Sequence, residues 1–80
     1  MNRTEALAMV RESISRAVPG ADVDALGPAD LFREVLEMDS LDFLGFVEIL
    51  GERSGLRIDD EDTPRLTTLS GSADFLLSRG

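Results

Sequence analysis

The chain has no cysteine, histidine, tryptophan or tyrosine, and it has no lysine, so all eight basic residues are arginine. Without cysteine there is no disulfide and no thiolate metal site. Without histidine and lysine, acid–base chemistry near neutral pH falls to carboxylates alone. A serine nucleophile needs a base within hydrogen-bond reach, usually histidine or lysine, and neither exists here. No apolar run approaches the ~18 residues of a membrane span, and the N-terminus lacks a signal-peptide core. No segment alternates with period two over strand length, and there is no repeat or low-complexity run. These absences do not exclude an enzyme but leave it without its usual tools, and they lead us to expect a protein that does not enter a membrane and resides in the cytoplasm.

What the chain does have is acid. Sixteen Asp and Glu stand against eight Arg, a formal net charge of −8. The excess is uneven. Residues 1–20 hold three arginines and two glutamates, whereas residues 21–80 hold five arginines and fourteen acids. Such a surface repels phosphate backbones, so nucleic-acid binding is not expected. It attracts basic partners and speeds their encounter. Solubility alone would also account for the acids. Eighty residues make one small domain, 1–80, expected to be monomeric.

Leu7, Val10, Ile14 and Val18 recur at helical spacing, with Met9 and Ala17 beside them. Asn2 and Glu5 fit a capping pair, and Pro19-Gly20 ends this first helix over residues 3–18. Residues 19–39 read as a long connection, with a short helical turn near 30–36. Leu26, Leu31, Phe32, Val35 and Leu36 are available to pin it to a core. A second helix spans 40–54 and stops at Gly55. Residues 59–65 suggest a short turn that Pro64 limits. Thr67 or Thr68 caps a last helix to about Ser78, with Leu69, Ala73, Leu76 and Leu77 as its stripe and Phe75 on a flank. The expected fold is all-α: a small four-helix bundle, three main helices plus a short one, with a long loop between the first two main helices.

On a wheel at ~100° per residue, Phe43, Leu44, Phe46, Val47 and Leu50 share one broad arc of the second helix, its expected core face. Leu41, Asp42, Gly45, Glu48, Ile49 and Glu52 fall opposite. Two aliphatics among three acids fit a docking face for a basic partner with an apolar pocket, although single exposed aliphatics are common and need no special cause. Gly45 costs that helix about 1 kcal/mol relative to alanine. It either allows close approach by a partner or has no role.

Asp39 is a good N-cap, with Asp42 three residues on, near the positive end of the helix. Ser40 lies between them at the first helical position, its side chain free to face solvent. Serine is simply tolerated there. Equally, an exposed hydroxyl at a helix start suits attachment of a phosphate ester, which the helix amides favour and the neighbouring aspartates oppose.

At this point the chain resembles an acyl carrier protein. The stretch MDSLDFLGFVEIL, residues 38–50, resembles the family's Asp-Ser-Leu motif and the helix after it. IDDEDTPRLTTLSGSADFLL, residues 58–77, resembles its acidic turn, cap and last helix. The resemblance covers residues 26–78 well and 1–25 only by pattern. It implies a four-helix bundle that is a carrier and not an enzyme. Ser40 would receive 4′-phosphopantetheine from coenzyme A through a separate phosphopantetheinyl transferase. The arm's thiol would then carry acyl groups as thioesters between ligase, synthase or acyltransferase enzymes of fatty-acid, polyketide or related biosynthesis. Asp39, Leu41, Asp42, Glu48 and Glu52, with Ile49 on the same face, would meet basic docking surfaces. Leu44, Phe46, Val47 and Leu50 would shelter the acyl chain. Three departures from the family pattern stand out: Glu37 where glycine is common, Gly45 where fatty-acid carriers often have an acid, and Arg53 where the helix end is often acidic. They favour a dedicated carrier in a specialised pathway. The Met1 start suggests a stand-alone protein.

Other readings remain. A peptidyl or aminoacyl carrier shares the serine but often has Gly or His before it, against Asp39 here. A carrier for D-alanine usually lacks the acid at Asp42. An unmodified acidic interaction module would tolerate loss of Ser40. A calcium loop over residues 22–33 fails, because Leu26 and Arg33 occupy ligand positions. No metal site is assigned. The cluster Asp59–Asp62 is expected to be a solvated turn, with weak cation binding left open. A hydrolase built on paired carboxylates has no pocket to point to.

Overall fold

The three longer α-helices begin where the sequence offers side-chain oxygens to their first amides. The computed structural model describes residues 1–79. Its α-helices are α1 (Arg3–Ala17), α2 (Phe32–Val35), α3 (Ser40–Ser54) and α4 (Leu69–Arg79), with 3-10 helices at Val23–Ala25 and Asp60–Leu66. Asn2 Oδ1 accepts the Glu5 amide at 2.8 Å, and Glu5 accepts the Asn2 amide at 3.2 Å. Asp39 and Asp42 repeat this reciprocal box at the start of α3. Thr68, the second of the two candidate threonines, accepts the Gly71 amide at 3.0 Å and opens α4. Gly55 ends α3 at φ 71, a left-handed conformation that costs glycine little. The all-α bundle with a long first connection is thus the observed architecture.

α1 is the shared wall of the bundle and packs against both α3 and α4. Ala6, Val10 and Ile14 of α1 are fully buried, as are Phe46 and Leu50 of α3 and Ala73, Phe75 and Leu76 of α4. Each fully buried large side chain contributes roughly 1.5–3 kcal/mol, against about 1 kcal/mol for a helix cap. Core burial therefore holds the bundle, and the caps fix where its helices start.

Some core placements differ from the pattern reading. Phe75 is not on a flank but fully buried. Its ring lies between two arginines, with Arg79 Cζ 4.8 Å and Arg65 Cζ 5.3 Å from its centroid. Arg79 also donates to Asp62 Oδ1 at 2.8 Å. Asp62 is therefore buried and paired, not part of a solvated turn. Pro64 lies inside the 3-10 helix rather than limiting it. In the long connection, Leu26 and Phe32 are buried and Leu36 is half-buried, as anchors should be, but Leu31 and Val35 are exposed. Met38, unflagged in the sequence, is buried instead.

The connection is also tied by its backbone. The Phe32 amide donates to Thr67 O at 3.0 Å, and the Ser70 amide donates to Pro28 O at 3.0 Å. The Phe32 ring meets Phe46 edge-on, centroids 5.4 Å apart. These contacts fix α2 beside the entrance to α3, where Ser40 stands.

Candidate functional site

Ser40 is the first residue of α3, and its side chain faces solvent. Asp39 before it is extended at φ −87, ψ −178, and its carboxylate accepts the Asp42 amide at 2.8 Å. The cap occupies Asp39 and Asp42 with each other and leaves the Ser40 hydroxyl outside the box. That hydroxyl accepts one hydrogen bond, from Arg33 Nη2 at 3.2 Å. Among the described residues no carboxylate, the only kind of side-chain base in this chain, bonds the Ser40 hydroxyl. Among the described residues the site thus presents an exposed hydroxyl with no base bonded to it.

Around Ser40 the surface mixes acid and apolar groups. Leu41 is 78% exposed. Asp39, Glu48 and Glu52 are exposed, and Asp42 is half-buried beneath its cap. Ile49, expected to face outward, is half-buried. Leu44, expected on the core face, is 52% exposed instead. The reason is angular. The apolar arc from Phe46 round to Leu44 is about 160° wide, more than α1 and its neighbours cover. The buried line centres on Phe46 and Leu50, which swings Leu44 out and Ile49 partly in. The exposed apolar pair on α3 is therefore Leu41 and Leu44.

The four residues expected to shelter an acyl chain do not share one surface. Phe46 and Leu50 are fully buried in the core, Val47 is half-buried and Leu44 faces solvent. An open depression lies further along α3, lined by Val47, Glu48, Gly51, Glu52 and Ile58.

The three unusual positions each have a local role or none. Glu37 adopts φ 52, a left-handed conformation that suits glycine. Gly45 is half-buried, and a Cβ there would meet Ala17 Cβ at 4.0 Å, an ordinary contact. It is not an outward opening for a partner. Arg53 Nη2 pairs with Glu12 at 2.7 Å and links α3 to α1.

Sequence reasoning missed Arg33 as part of the site and noted it only as a residue that spoils a calcium loop. A signal was present: Arg33 is the one arginine between Arg16 and Arg53, seven residues before the motif serine. Among the described residues no group of three or more acids is placed to hold a metal ion, the Asp59–Asp62 stretch included. Among the same residues no helix is long and apolar enough to cross a membrane.

No protein-family model matches the chain. Individual proteins do. The chain is 34% identical over 77 residues to the acyl carrier protein of Rubrobacter xylanophilus, covering 96% of this chain and 94% of that one. It is 32% identical over 76 residues to the acyl carrier protein of Thermosynechococcus vestitus, covering 95% and 93%. The solved structure of the acyl carrier protein from Enterococcus faecalis superposes with a TM-score of 0.80 at 28% identity, over the full length of both chains. Sequence likeness at this level over nearly the whole length, on the same helical frame and around an exposed serine with no base, leads to one conclusion: the chain belongs to the acyl carrier protein family, whose members are carriers and not enzymes.

Proposed function

We propose that Ser40 carries a 4′-phosphopantetheine arm and that the protein delivers acyl groups, held on that arm as thioesters, to partner enzymes. The observation that supports this most directly is the Ser40 hydroxyl itself, exposed at the start of α3 and held outside the Asp39–Asp42 cap. The site fits the group. Ser40 is exposed, and among the described residues the one hydrogen-bond partner of its hydroxyl is a cationic donor. On a separate transferase, Ser40 Oγ displaces adenosine 3′,5′-bisphosphate from coenzyme A, forming one P–O bond and breaking another. The serine proton leaves to a base of the transferase. The arm supplies the thiol that this cysteine-free chain lacks. The protein's own residues hold the attachment point still and mark it for recognition.

That recognition falls to the surface around Ser40. Asp39, Glu48 and Glu52 offer charge to basic docking surfaces, and Leu41 and Leu44 offer apolar anchors. Phosphopantetheinyl transferases, ligases, synthases and acyltransferases with basic docking surfaces are the partners this surface suits. The depression beside Val47 and Ile58 is the place on α3 where an acyl chain finds apolar cover without opening the core. The cargo belongs to fatty-acid, polyketide or a related specialised synthesis.

Transfer of a fluorescent coenzyme A analogue by a broad-specificity transferase tests the assignment. Labelling of the wild type and its complete loss in Ser40→Ala, with the helical circular dichroism unchanged, is the expected result. Equal labelling of both proteins would place the arm elsewhere and overturn it.

A further inference from the structure

Arg33 is a cation set among acids without an acid partner. Among the described residues Arg3, Arg16, Arg53, Arg57 and Arg79 each have a carboxylate within salt-bridge distance. Arg33, like Arg11 and Arg65, has none, although Glu34, Glu37, Asp39 and Asp42 all lie within nine positions of it in the chain. Its one hydrogen bond goes to Ser40 Oγ at 3.2 Å, and its Cζ lies 6.0 Å from the centroid of the Phe43 ring. A guanidinium has five N–H donors in a planar fork, so one bond to a hydroxyl leaves most of them for a further acceptor. The aromatic face limits where the fork can go.

We propose that Arg33 is a positioning residue for the phosphate that joins the arm to Ser40. The proposal rests on the reading of Ser40 given above. Esterification places a phosphorus one bond beyond the oxygen that Arg33 already contacts. The anionic phosphodiester oxygens then fall within reach of the same fork, which prefers them to a neutral hydroxyl and takes them two at a time. Two consequences follow. Arg33 offsets the negative charge that loading adds beside Asp39 and Asp42. It also holds the root of the arm on the side of α2 and Phe43, while the rest of the arm stays free to move.

The test uses the whole protein, unmodified and loaded, as wild type, Arg33→Gln and Arg33→Lys. Intact mass first establishes loading on Ser40 in each. The Arg33 side-chain resonances in ¹⁵N NMR are then compared before and after loading, together with the ³¹P line of the loaded protein. The expected result is that Arg33 shifts more than any of the other seven arginines, and that the ³¹P line moves in Arg33→Gln and moves less in Arg33→Lys. Loading is also expected to lower the melting temperature of Arg33→Gln by about 2–4 °C more than that of the wild type, the size of one exposed ion pair in a chain this small. If all three proteins load, yet Arg33 shifts no more than distant Arg57 and the ³¹P line is unchanged in Arg33→Gln, Arg33 is not a phosphate partner, and the carrier function stands. If the wild type does not load at all, the reading of Ser40 and this proposal fall together.

Discussion

At the scale of single residues, the proposed function rests on how few groups surround Ser40. Its neighbours Asp39 and Asp42 are the bases within closest sequence reach, and each is occupied with the other's backbone amide. The Ser40 hydroxyl takes no part in that exchange. Two residues upstream of Asp39, Glu37 adopts φ 52. That conformation costs a non-glycine residue about 1–2 kcal/mol. Glycine would remove the strain but return roughly 0.5–1 kcal/mol through its freer unfolded chain. Glu37→Gly is therefore expected to stabilise the protein by about 0.5–1 kcal/mol, read as a rise in melting temperature of several degrees. An unchanged or lower melting temperature would mean that the Glu37 side chain contributes more than its backbone costs. The exposed place of Ser40 at the helix start, the Asp39 cap and the oddity of Glu37 were all legible in the sequence, because each depends on local chemistry. Arg33 was not, because its contact with Ser40 exists only once Phe32 has fixed α2 against Phe46.

At the scale of elements, helix starts and stops were readable to within a residue or two, since they rest on short-range caps such as Asn2, Asp39, Thr68 and Gly55. Helix faces were less readable. The apolar arc of α3 is wider than the surface its neighbours cover, and the sequence does not say which edge is left out. Packing against α1 leaves out Leu44 and draws Ile49 and Gly45 inward. Phe75 was similarly hidden, because two arginines that cover its ring, Arg65 and Arg79, come from different elements. Gly45 offers a direct check on the α3 placement. With Ala17 Cβ 4.0 Å from a new methyl, nothing has to move to admit alanine. Gly45→Ala is expected to raise stability by about 1 kcal/mol, the difference in helix propensity, in thermal or denaturant unfolding. A loss of stability would show that α1 and α3 approach more closely at this point.

At the scale of the whole molecule, the same bundle serves two ends. Phe46 and Leu50 turn one side of α3 into core, so the other side stands rigid, with Leu41 and Leu44 among acids beside Ser40. The chain as a whole carries a net charge of −8, and charge of that size speeds encounter with oppositely charged molecules. Fold class and acidity were visible in composition and periodicity. The site as a surface was not, because it joins α2 and α3 through contacts that the sequence does not spell out. The central claim is that one serine turns this inert bundle into a thioester carrier. The most direct measurement is intact mass after incubation with acetyl-coenzyme A, magnesium and a broad-specificity transferase, repeated after treatment with neutral hydroxylamine. The expected result is a gain of one acetyl-phosphopantetheine, loss of the acetyl group alone on hydroxylamine treatment, and no gain in Ser40→Ala. No gain in the wild type, with a control carrier modified in the same tube, or a gain that persists in Ser40→Ala, would contradict it.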